Sequence, residues 1–153
     1  LVILDWDLLE IEADLISGYL PQVYQRLNQY AGITRAQASS IGLFIEDKAA
    51  GIVLLQQAKR CNSRLTHAID SKLTSLGKDA RALNASSYFA QNMVKITQAA
   101  YDKTSLFRTI SRNHLVGQLT EFRIGESGKK RQDDLFDTAM YGAAIALGNN
   151  EGF

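Results

Sequence analysis

The sequence predicts a mixed α/β fold, in which a mixed sheet is flanked by helices. Short apolar runs rich in β-branched and aromatic residues alternate with longer segments of helical periodicity. Residues 41–45 are apolar throughout, as is typical of a central strand that is buried on both faces. That run ends in acidic residues, and sites in open α/β sheets are built at the carboxyl ends of strands.

Length and composition predict one domain over residues 1–153. A chain of 153 residues, 46% of them hydrophobic, can bury one core but is short for two ordinary domains. Lys and Arg total 17 against 16 for Asp and Glu, so DNA contact would have to come from local clustering of charge. The single cysteine, Cys61, excludes an internal disulfide, suits a reducing cytosol and is expected to be small and partly buried.

The beginning of the chain predicts a strand followed by a helix. In Leu1–Leu9, one face carries Val2, Leu4, Trp6 and Leu8, and the other carries Ile3, Asp5 and Asp7. Asp5 and Asp7 either line an exposed sheet face or point into a metal site. From about Asp14 the apolar spacing becomes helical, with Gly32 as a stop, and Pro21 either kinks that helix or starts its regular part. A chain that opens directly in a strand, without Met, is expected to be a piece of a longer protein.

The run at residues 41–45 leads through Glu46 and Asp47 into a helix that contains Ile52, Leu55 and Lys59. Asp47 is placed to cap that helix, whereas Glu46, the last residue of the strand, has no such structural role. Glu46 is therefore a candidate site residue.

The middle of the chain predicts one more short strand, an edge strand and two helices. We expect a strand at residues 65–69, a loop at 72–76, a helix from Gly77 to about Gln91, an edge strand at 94–96 and a long amphipathic helix at 106–122. Lys78 and Arg81 fall on the exposed first turn of the first of these helices. They either grip phosphates or are solvated surface charges.

The last predicted helix, residues 132–147, begins with three carboxylates and continues as an apolar pattern. Phe136, Met140, Ala143 and Leu147 recur at helical spacing, and small residues would let this helix pack close to a sheet. Asp133 and Asp134 lie where a helix N-terminus favours negative charge, and Asp137 is one turn further on the same face. The alternative is that one Asp caps the helix while the others are solvated. A basic loop with Lys129, Lys130 and Arg131 precedes it.

The predicted order of elements brings separated acids towards one point. Carboxylates 4 Å apart repel by about 4 kcal/mol at an effective dielectric near 20, so such a cluster needs cations. Hard oxygen ligands select Mg²⁺ or Mn²⁺, and two such ions can promote phosphodiester hydrolysis. A phosphate-binding loop is missing, and His67, His114 and Cys61 are isolated, which disfavours a zinc site.

Three segments together resemble the C-terminal nuclease domain of tailed-bacteriophage terminase large subunits. They are Phe-Ile-Glu-Asp-Lys-Ala-Ala-Gly at 44–51, Lys-Asp-Ala-Arg at 78–81, and Lys-Arg-Gln-Asp-Asp-Leu-Phe-Asp-Thr-Ala at 130–139. The resemblance extends from the opening strand to about Leu147, and it rests on the order and spacing of the segments.

The resemblance implies an RNase H-like fold and a metal-dependent endonuclease that cuts concatemeric double-stranded viral DNA during packaging. Glu46, Asp133 and Asp134 match its metal ligands for two Mg²⁺ or Mn²⁺ ions, and Asp137 matches a further catalytic Asp. Lys78, Arg81, Lys129, Lys130 and Arg131 are the candidate DNA-binding residues, meeting the backbone without reading sequence. The implied partners are DNA, the ATPase domain of the same full-length chain, the small terminase subunit and the portal or procapsid, in the cytoplasm of a bacterial host.

Two features depart from that family. The ATPase motor is missing, and Leu1–Leu9 runs almost directly into a helix, as the third strand of the family fold would. The first strand and its catalytic Asp are then expected upstream of Leu1, which would leave this fragment weakly active or inactive. Asp5 or Asp7 is the alternative source of that carboxylate. A junction-resolving nuclease and a non-catalytic module that docks DNA or capsid are the alternative functions.

Overall fold

The computed structural model describes residues 1–12, 14–34, 40–126 and 132–148. Within them the chain is mixed α/β and largely helical, with three two-stranded sheets. The contacts divide it into two compact units. We call Glu10–Thr74 the continuous unit, and Leu1–Leu9 with Ser75–Phe153 the discontinuous unit. The mixed α/β class is confirmed, whereas the RNase H-like arrangement stays a prediction.

The continuous unit contains two long helices, two strands and two short helical turns. In chain order they are α1 (Ile16–Ile33), β2 (Leu43–Ile45), α2 (Ala50–Asn62), a 3₁₀ turn (Ser63–Leu65), β3 (Thr66–Ala68) and α3 (Ser71–Thr74). Strands β2 and β3 are parallel, with Phe44 opposite His67. Its core consists of Leu20, Tyr24, Ile45, Leu55 and Ala58.

A buried hydroxyl pair fixes the long helices of this unit to β3. The Tyr24 hydroxyl lies 2.5 Å from Thr66 Oγ1 and donates to the Ala58 carbonyl at 3.2 Å. Both side chains are buried, so these contacts satisfy polar groups that would otherwise destabilise the core.

Three expectations for this unit are wrong. Strand β2 belongs to a two-stranded sheet, and of its residues only Ile45 is buried, so it is not a central strand buried on both faces. The expected loop at residues 72–76 is partly α3, because the Asp70 carboxylate accepts from Lys72 N at 2.7 Å and its carbonyl accepts from Leu73 and Thr74. Cys61 is exposed rather than partly buried.

Asp47 does not cap α2, so the expected role of this residue is also wrong. Ala49 occupies the N-cap position with a φ of 49°, and none of the described side chains caps this helix. The chain turns so sharply here that Gly51 lies against the backbone carbonyl of Glu46. A Cβ at position 51 would be far inside van der Waals contact with that oxygen, which is why glycine is needed.

The discontinuous unit contains four strands and four helices among its described residues. They are β1 (Val2–Ile3), α4 (Lys78–Ala90), β4 (Lys95–Ile96), α5 (Gln98–Asp102), β5 (Ser105–Phe107), β6 (Ile110–Arg112), α6 (His114–Glu121) and α7 (Asp134–Leu147). Strands β1 and β4 pair in parallel, and β5 and β6 form an antiparallel hairpin. Helices α4, α6 and α7 pack around one core that includes Trp6, Ala85, Phe136 and Ala143.

The structure confirms the helices at 77–91 and 132–147 to within a residue or two, and strand β4 lies within the expected strand at 94–96. The strand expected over Leu1–Leu9 is shortened to Val2–Ile3, although Trp6 and Leu8 are buried as their spacing predicts. Among the described residues, helix α7 packs mainly against helices α4 and α6, whereas its small residues led us to expect close packing on a sheet.

The helix expected at residues 106–122 is wrong over its first half, which forms the β5–β6 hairpin. Its two loop residues, Arg108 and Thr109, both have positive φ, at 43° and 70°, as the tightest hairpin turns require. Asn113 then begins α6, because its Oδ1 accepts from Val116 N at 2.8 Å. The turn residues, Arg-Thr, are not the Asn-Gly pair typical of such turns. Nothing in the sequence therefore marks the turn, and the spacing of the apolar residues wrongly indicates a continuous helix.

We predict that Gly51→Ala destabilises the chain by about 2 kcal/mol or more, because the new methyl group must displace backbone. Gly32→Ala is the matched control in the same unit: it lies inside α1, and nothing lies within 4 Å of an added Cβ there. That change should be neutral or stabilise by up to about 1 kcal/mol. Chemical unfolding followed by circular dichroism measures both, and equal stability of the two variants would contradict the contact.

Candidate functional site

The beginning of α7 carries the acids that the sequence singles out, but none of them caps the helix. Asp133 is the N-cap residue and makes no side-chain cap hydrogen bond. Instead, the buried side chain of Gln118 on α6 accepts through Oε1 from Leu135 N at 2.8 Å and Phe136 N at 3.1 Å. The expectation of an Asp cap is therefore wrong, and the acidic side chains are left for other contacts.

Two of these carboxylates form ion pairs with the first turn of α4. The Lys78 ammonium contacts Asp133 Oδ2 and lies 3.3 Å from Asp137 Oδ2. Arg81 Nη2 donates to Asp137 Oδ1 at 2.8 Å. We call these four residues the α4–α7 clamp. It pairs a Lys and an Arg three residues apart with two Asp four residues apart, so each set occupies one face of its helix.

Arg81 is the more firmly held of the two basic residues. Its Nη1 donates to the Leu76 carbonyl at 2.7 Å, and its guanidinium carbon lies 4.8 Å from the centre of the Tyr141 ring. Its side chain is 10% exposed against 21% for Lys78. Neither residue is the solvated surface charge that the sequence allowed, and a phosphate could reach them only in competition with the Asp side chains.

The pKa of the Lys78 ammonium is raised above its usual 10.5. Burial acts in the opposite direction and is the largest single effect, but the hydrogen bond to Asp133, the charges of both Asp residues and the hydrogen bond to Asp137 together outweigh it. The clamp is therefore a charged, balanced cluster of two cations and two anions.

Asp134 differs from its two neighbours because it is exposed and faces no basic residue in the clamp. Gln132 Nε2 lies 3.4 Å from its Oδ2, at the outer limit of a hydrogen bond. The backbone carbonyl of Asp134 accepts from the Thr138 hydroxyl at 2.8 Å. Of the three acids at the start of α7, Asp134 has the carboxylate most accessible to a ligand.

Glu46 is the residue after β2, which ends at Ile45 rather than at Glu46 as expected, and it belongs to the continuous unit, whereas Asp133, Asp134 and Asp137 belong to the discontinuous unit. Its side chain is half-buried, and its backbone is fixed by the close approach of Gly51. The candidate DNA-binding residues Lys129, Lys130 and Arg131 lie outside the described residues.

Asp5 and Asp7 hold a second lysine. Lys103 Nζ lies 2.6 Å from Asp5 Oδ1 and 2.8 Å from Asp7 Oδ1, and it also contacts the Trp6 carbonyl. The pKa of Lys103 is raised, since the hydrogen bonds and charges of both Asp residues outweigh the opposing effect of burial. The two side chains thus form an ion-pair cluster instead of an exposed acidic face.

The two histidines are satisfied residues. Buried His114 directs Nε2 at the carbonyls of Ser105 and Ile110, at 3.0 and 3.2 Å, and His67 Nε2 lies 3.0 Å from the Ile41 carbonyl. Because carbonyls only accept, both Nε2 atoms donate. These roles are structural.

The acidic side chains of the described residues do not form a ready metal site. Among those residues, no three His, Cys, Asp or Glu side chains come together as metal ligands would. Asp133 and Asp137 already hold Lys78 and Arg81, so the clamp in this arrangement does not fit a divalent cation. The site for two Mg²⁺ or Mn²⁺ ions stays a prediction from the resemblance.

An apolar cleft of about 450 Å³ opens beside this region in the discontinuous unit. Phe89, Met140 and the stacked pair Phe122 and Phe136, whose ring centres are 3.9 Å apart, form much of its wall. Among the described residues that line it, Arg123 is the only charged one, and none is a carboxylate. The lining therefore offers no acidic group for hydrolysis.

Comparison with known proteins finds no protein family, no curated protein and no solved structure that matches this chain. Within the part of the chain that the structure describes, the helices are too short or too polar to cross a membrane.

Sequence reasoning missed Gln118, which is the residue that orders the start of α7. A usable signal was present, because this amide falls among Leu115, Leu119 and Phe122 on the apolar face of its helix. A polar residue at such a position has to find a buried partner.

We predict that Gln118→Leu lowers the free energy of unfolding by about 2 kcal/mol, because two buried N–H groups lose their acceptor. Gln118→Glu puts a carboxylate oxygen where the amide oxygen accepts both hydrogen bonds, so this control variant is expected to lose less stability. Urea unfolding of both variants tests this, and a Leu variant as stable as the wild type would show that the cap contributes nothing.

We also predict a pH dependence from Lys78. A raised pKa in the folded state means that the ammonium stabilises the fold fully below pH 10.5 and that this contribution disappears as the pH rises through the folded pKa. The free energy of unfolding of the wild type should therefore be about 1 kcal/mol higher than that of Lys78→Met at pH 9. This difference should disappear at higher pH. Lys78→Arg, which stays protonated, should keep its margin. A wild-type margin that does not change with pH would contradict the ion pair.

Proposed function

We propose that this chain is part of the RNase H-like nuclease domain of a tailed-phage terminase large subunit, and that it cleaves concatemeric double-stranded viral DNA during packaging. The observation that carries the proposal is the α4–α7 clamp. It joins two of the three segments on which the resemblance rests, although Arg81 and Asp137 are 56 residues apart in sequence.

The third segment supports the proposal through its local geometry. Glu46 directly follows β2, which pairs in parallel with β3, and the chain then turns at Ala49 and Gly51 into α2. Parallel strands with a carboxylate at their carboxyl end are the usual setting of a site in α/β proteins. The close approach of Gly51 restricts the backbone at Glu46, and this limits the positions that its carboxylate can take.

Within this proposal the acids divide into two kinds. Glu46 and the exposed Asp134 lie outside the clamp, and each is proposed, from the resemblance, as a ligand of Mg²⁺ or Mn²⁺, which prefer carboxylate oxygens. Asp133 and Asp137 are already neutralised by the basic residues of the clamp. The metal requirement, the double-stranded DNA substrate, the small subunit and portal partners and the bacterial cytoplasmic location all rest on the resemblance.

A second candidate is a non-catalytic module that docks DNA or capsid. One feature of the clamp favours this module. Lys78 and Arg81 each form an ion pair with an Asp, so the clamp has no net charge and no carboxylate free for catalysis. A nuclease of the junction-resolving kind remains a rival within the same fold, and it would cleave branched duplexes while leaving linear ones intact.

We predict that replacing Glu46 and Asp134 together with Ala reduces DNA cleavage by the intact protein that contains this chain by at least about 100-fold, the usual loss when a group central to catalysis is removed. The fold should be preserved, because neither residue is in the clamp. Cleavage of linear plasmid DNA with Mn²⁺ is the measurement.

Asp47→Ala is the matched control, since this exposed carboxylate follows Glu46 directly and should be dispensable. If the double variant cleaves as fast as the wild type, the nuclease assignment is wrong. If the wild type binds DNA without cutting either linear or branched duplexes, the docking module is favoured.

A further inference from the structure

The apolar cleft of the discontinuous unit lies where three helices meet. Helices α4 and α6 both pack against α7, and residues of all three helices line the cleft. On α4 the lining residues are Ala82, Ser86 and Phe89, whose spacing places them on one face of the helix. Helix α7 contributes Phe136 and Met140, which lie one turn apart. The same helical period that builds the core thus also builds the cleft.

The exposure of the lining side chains increases from the floor of the cleft to its rim. Phe136 and Met140 are each only 4% exposed and form the floor. Phe89 and Leu119 are half-buried, and Ile124 is 57% exposed. All five side chains are apolar, so water in the cleft finds few polar partners. An apolar group that displaces this water is therefore favoured.

The volume of the cleft, about 450 Å³, suits a small molecule. Small-molecule sites occupy roughly 300–1,000 Å³ and combine an apolar lining with a few polar groups that fix the orientation of the ligand. An apolar cavity of about 150 Å³ already holds benzene, so this cleft can hold a body of about eight to ten carbons.

A single cationic group lies at the rim. Arg123 is exposed, and it is the only charged residue among the described residues that line the cleft. Its Nη1 donates to the carbonyls of Thr120 and Phe122, both at 2.8 Å, which holds the guanidinium at the end of α6. Both bonds use Nη1, so Nε and Nη2 can donate to a ligand. Because no described lining residue is a carboxylate, the rim favours an anion.

We propose that the cleft binds a small amphipathic acid, whose alkyl or aromatic body of about eight to ten carbons lies on Phe136 and Met140 and whose carboxylate meets Arg123. The body gains free energy by leaving water, and the carboxylate gains a charge-assisted hydrogen bond. Neither Glu46 nor Asp134 lines the cleft, so this binding site goes beyond the proposed nuclease function and does not depend on it.

Octanoate and octan-1-ol test the role of the carboxylate, because they share one chain and differ in the head group. Calorimetric titration into the 153-residue chain should give a Kd for octanoate about tenfold below that for octan-1-ol. Arg123→Met should remove this preference and leave the Kd for octan-1-ol unchanged, which also shows that the cleft is intact. Arg123→Lys should keep most of the preference. Lys95→Met removes a positive charge from an exposed residue outside the cleft and controls for net charge.

The location of binding is tested by filling the cleft. Ser86 is an exposed residue that lines it, so Ser86→Trp should place an indole ring over the apolar lining and weaken both ligands by at least about tenfold. Ser87→Trp is the matched control, since Ser87 is equally exposed on the same helix but does not line the cleft. Far-ultraviolet circular dichroism checks the fold, and Ser86→Phe replaces Ser86→Trp if the latter unfolds.

Four outcomes would overturn the proposal. They are equal Kd values of the wild type for octanoate and octan-1-ol, a preference for octanoate that survives Arg123→Met, binding that Ser86→Trp leaves unchanged, and no binding of either ligand up to the solubility of the alcohol. Each of them is independent of whether the protein cuts DNA, so the proposed function and this inference fail separately.

Discussion

The packing of α7 against α4 and α6 is the interaction on which the discontinuous unit depends. Its buried residues, which include Phe136, Met140 and Ala143, belong to the same core as Trp6 near the beginning of the chain. The first N–H groups of α7 have no partner inside the helix, and the packing buries them, which makes them costly to leave unpaired. Gln118 meets this demand for two of them, which frees the Asp side chains for the clamp.

Two lysines of this unit each form ion pairs with two Asp side chains. Lys78 lies between Asp133 and Asp137, and Lys103 lies between Asp5 and Asp7. In each case two carboxylates are brought close enough to repel, and the chain supplies its own cation. Both lysines have a raised pKa as a result, although burial acts against it. The charge of both acidic pairs is therefore balanced in part by a lysine of the chain itself.

Local signals explain how much of the fold could be predicted. Helices α4 and α7 have a clear apolar period, β2 is a short apolar run, and β3 lies within the short run expected at residues 65–69, so the sequence locates all four. The β5–β6 hairpin was missed because its turn uses Arg108 and Thr109 at positive φ, for which the residue types give no warning. Helix α3 was missed because it depends on the side chain of Asp70, and Asp47 was misjudged because backbone geometry at Ala49 and Gly51 begins α2.

The candidate site shows where sequence reasoning stops. An Asp at the start of a helix can be a cap, a metal ligand or an ion-pair partner, and the residue type is equally suited to each. The deciding information lies on another helix: Lys78 and Arg81 are three residues apart on α4, and Asp133 and Asp137 are four apart on α7, so each pair lies about one turn apart on one face of its helix. Asp134, between those two, is exposed and has no lysine or arginine of the clamp as a partner. The same short acidic segment thus contains residues committed to holding the fold and a residue still open to a ligand, and only the packing of α4 on α7 separates them.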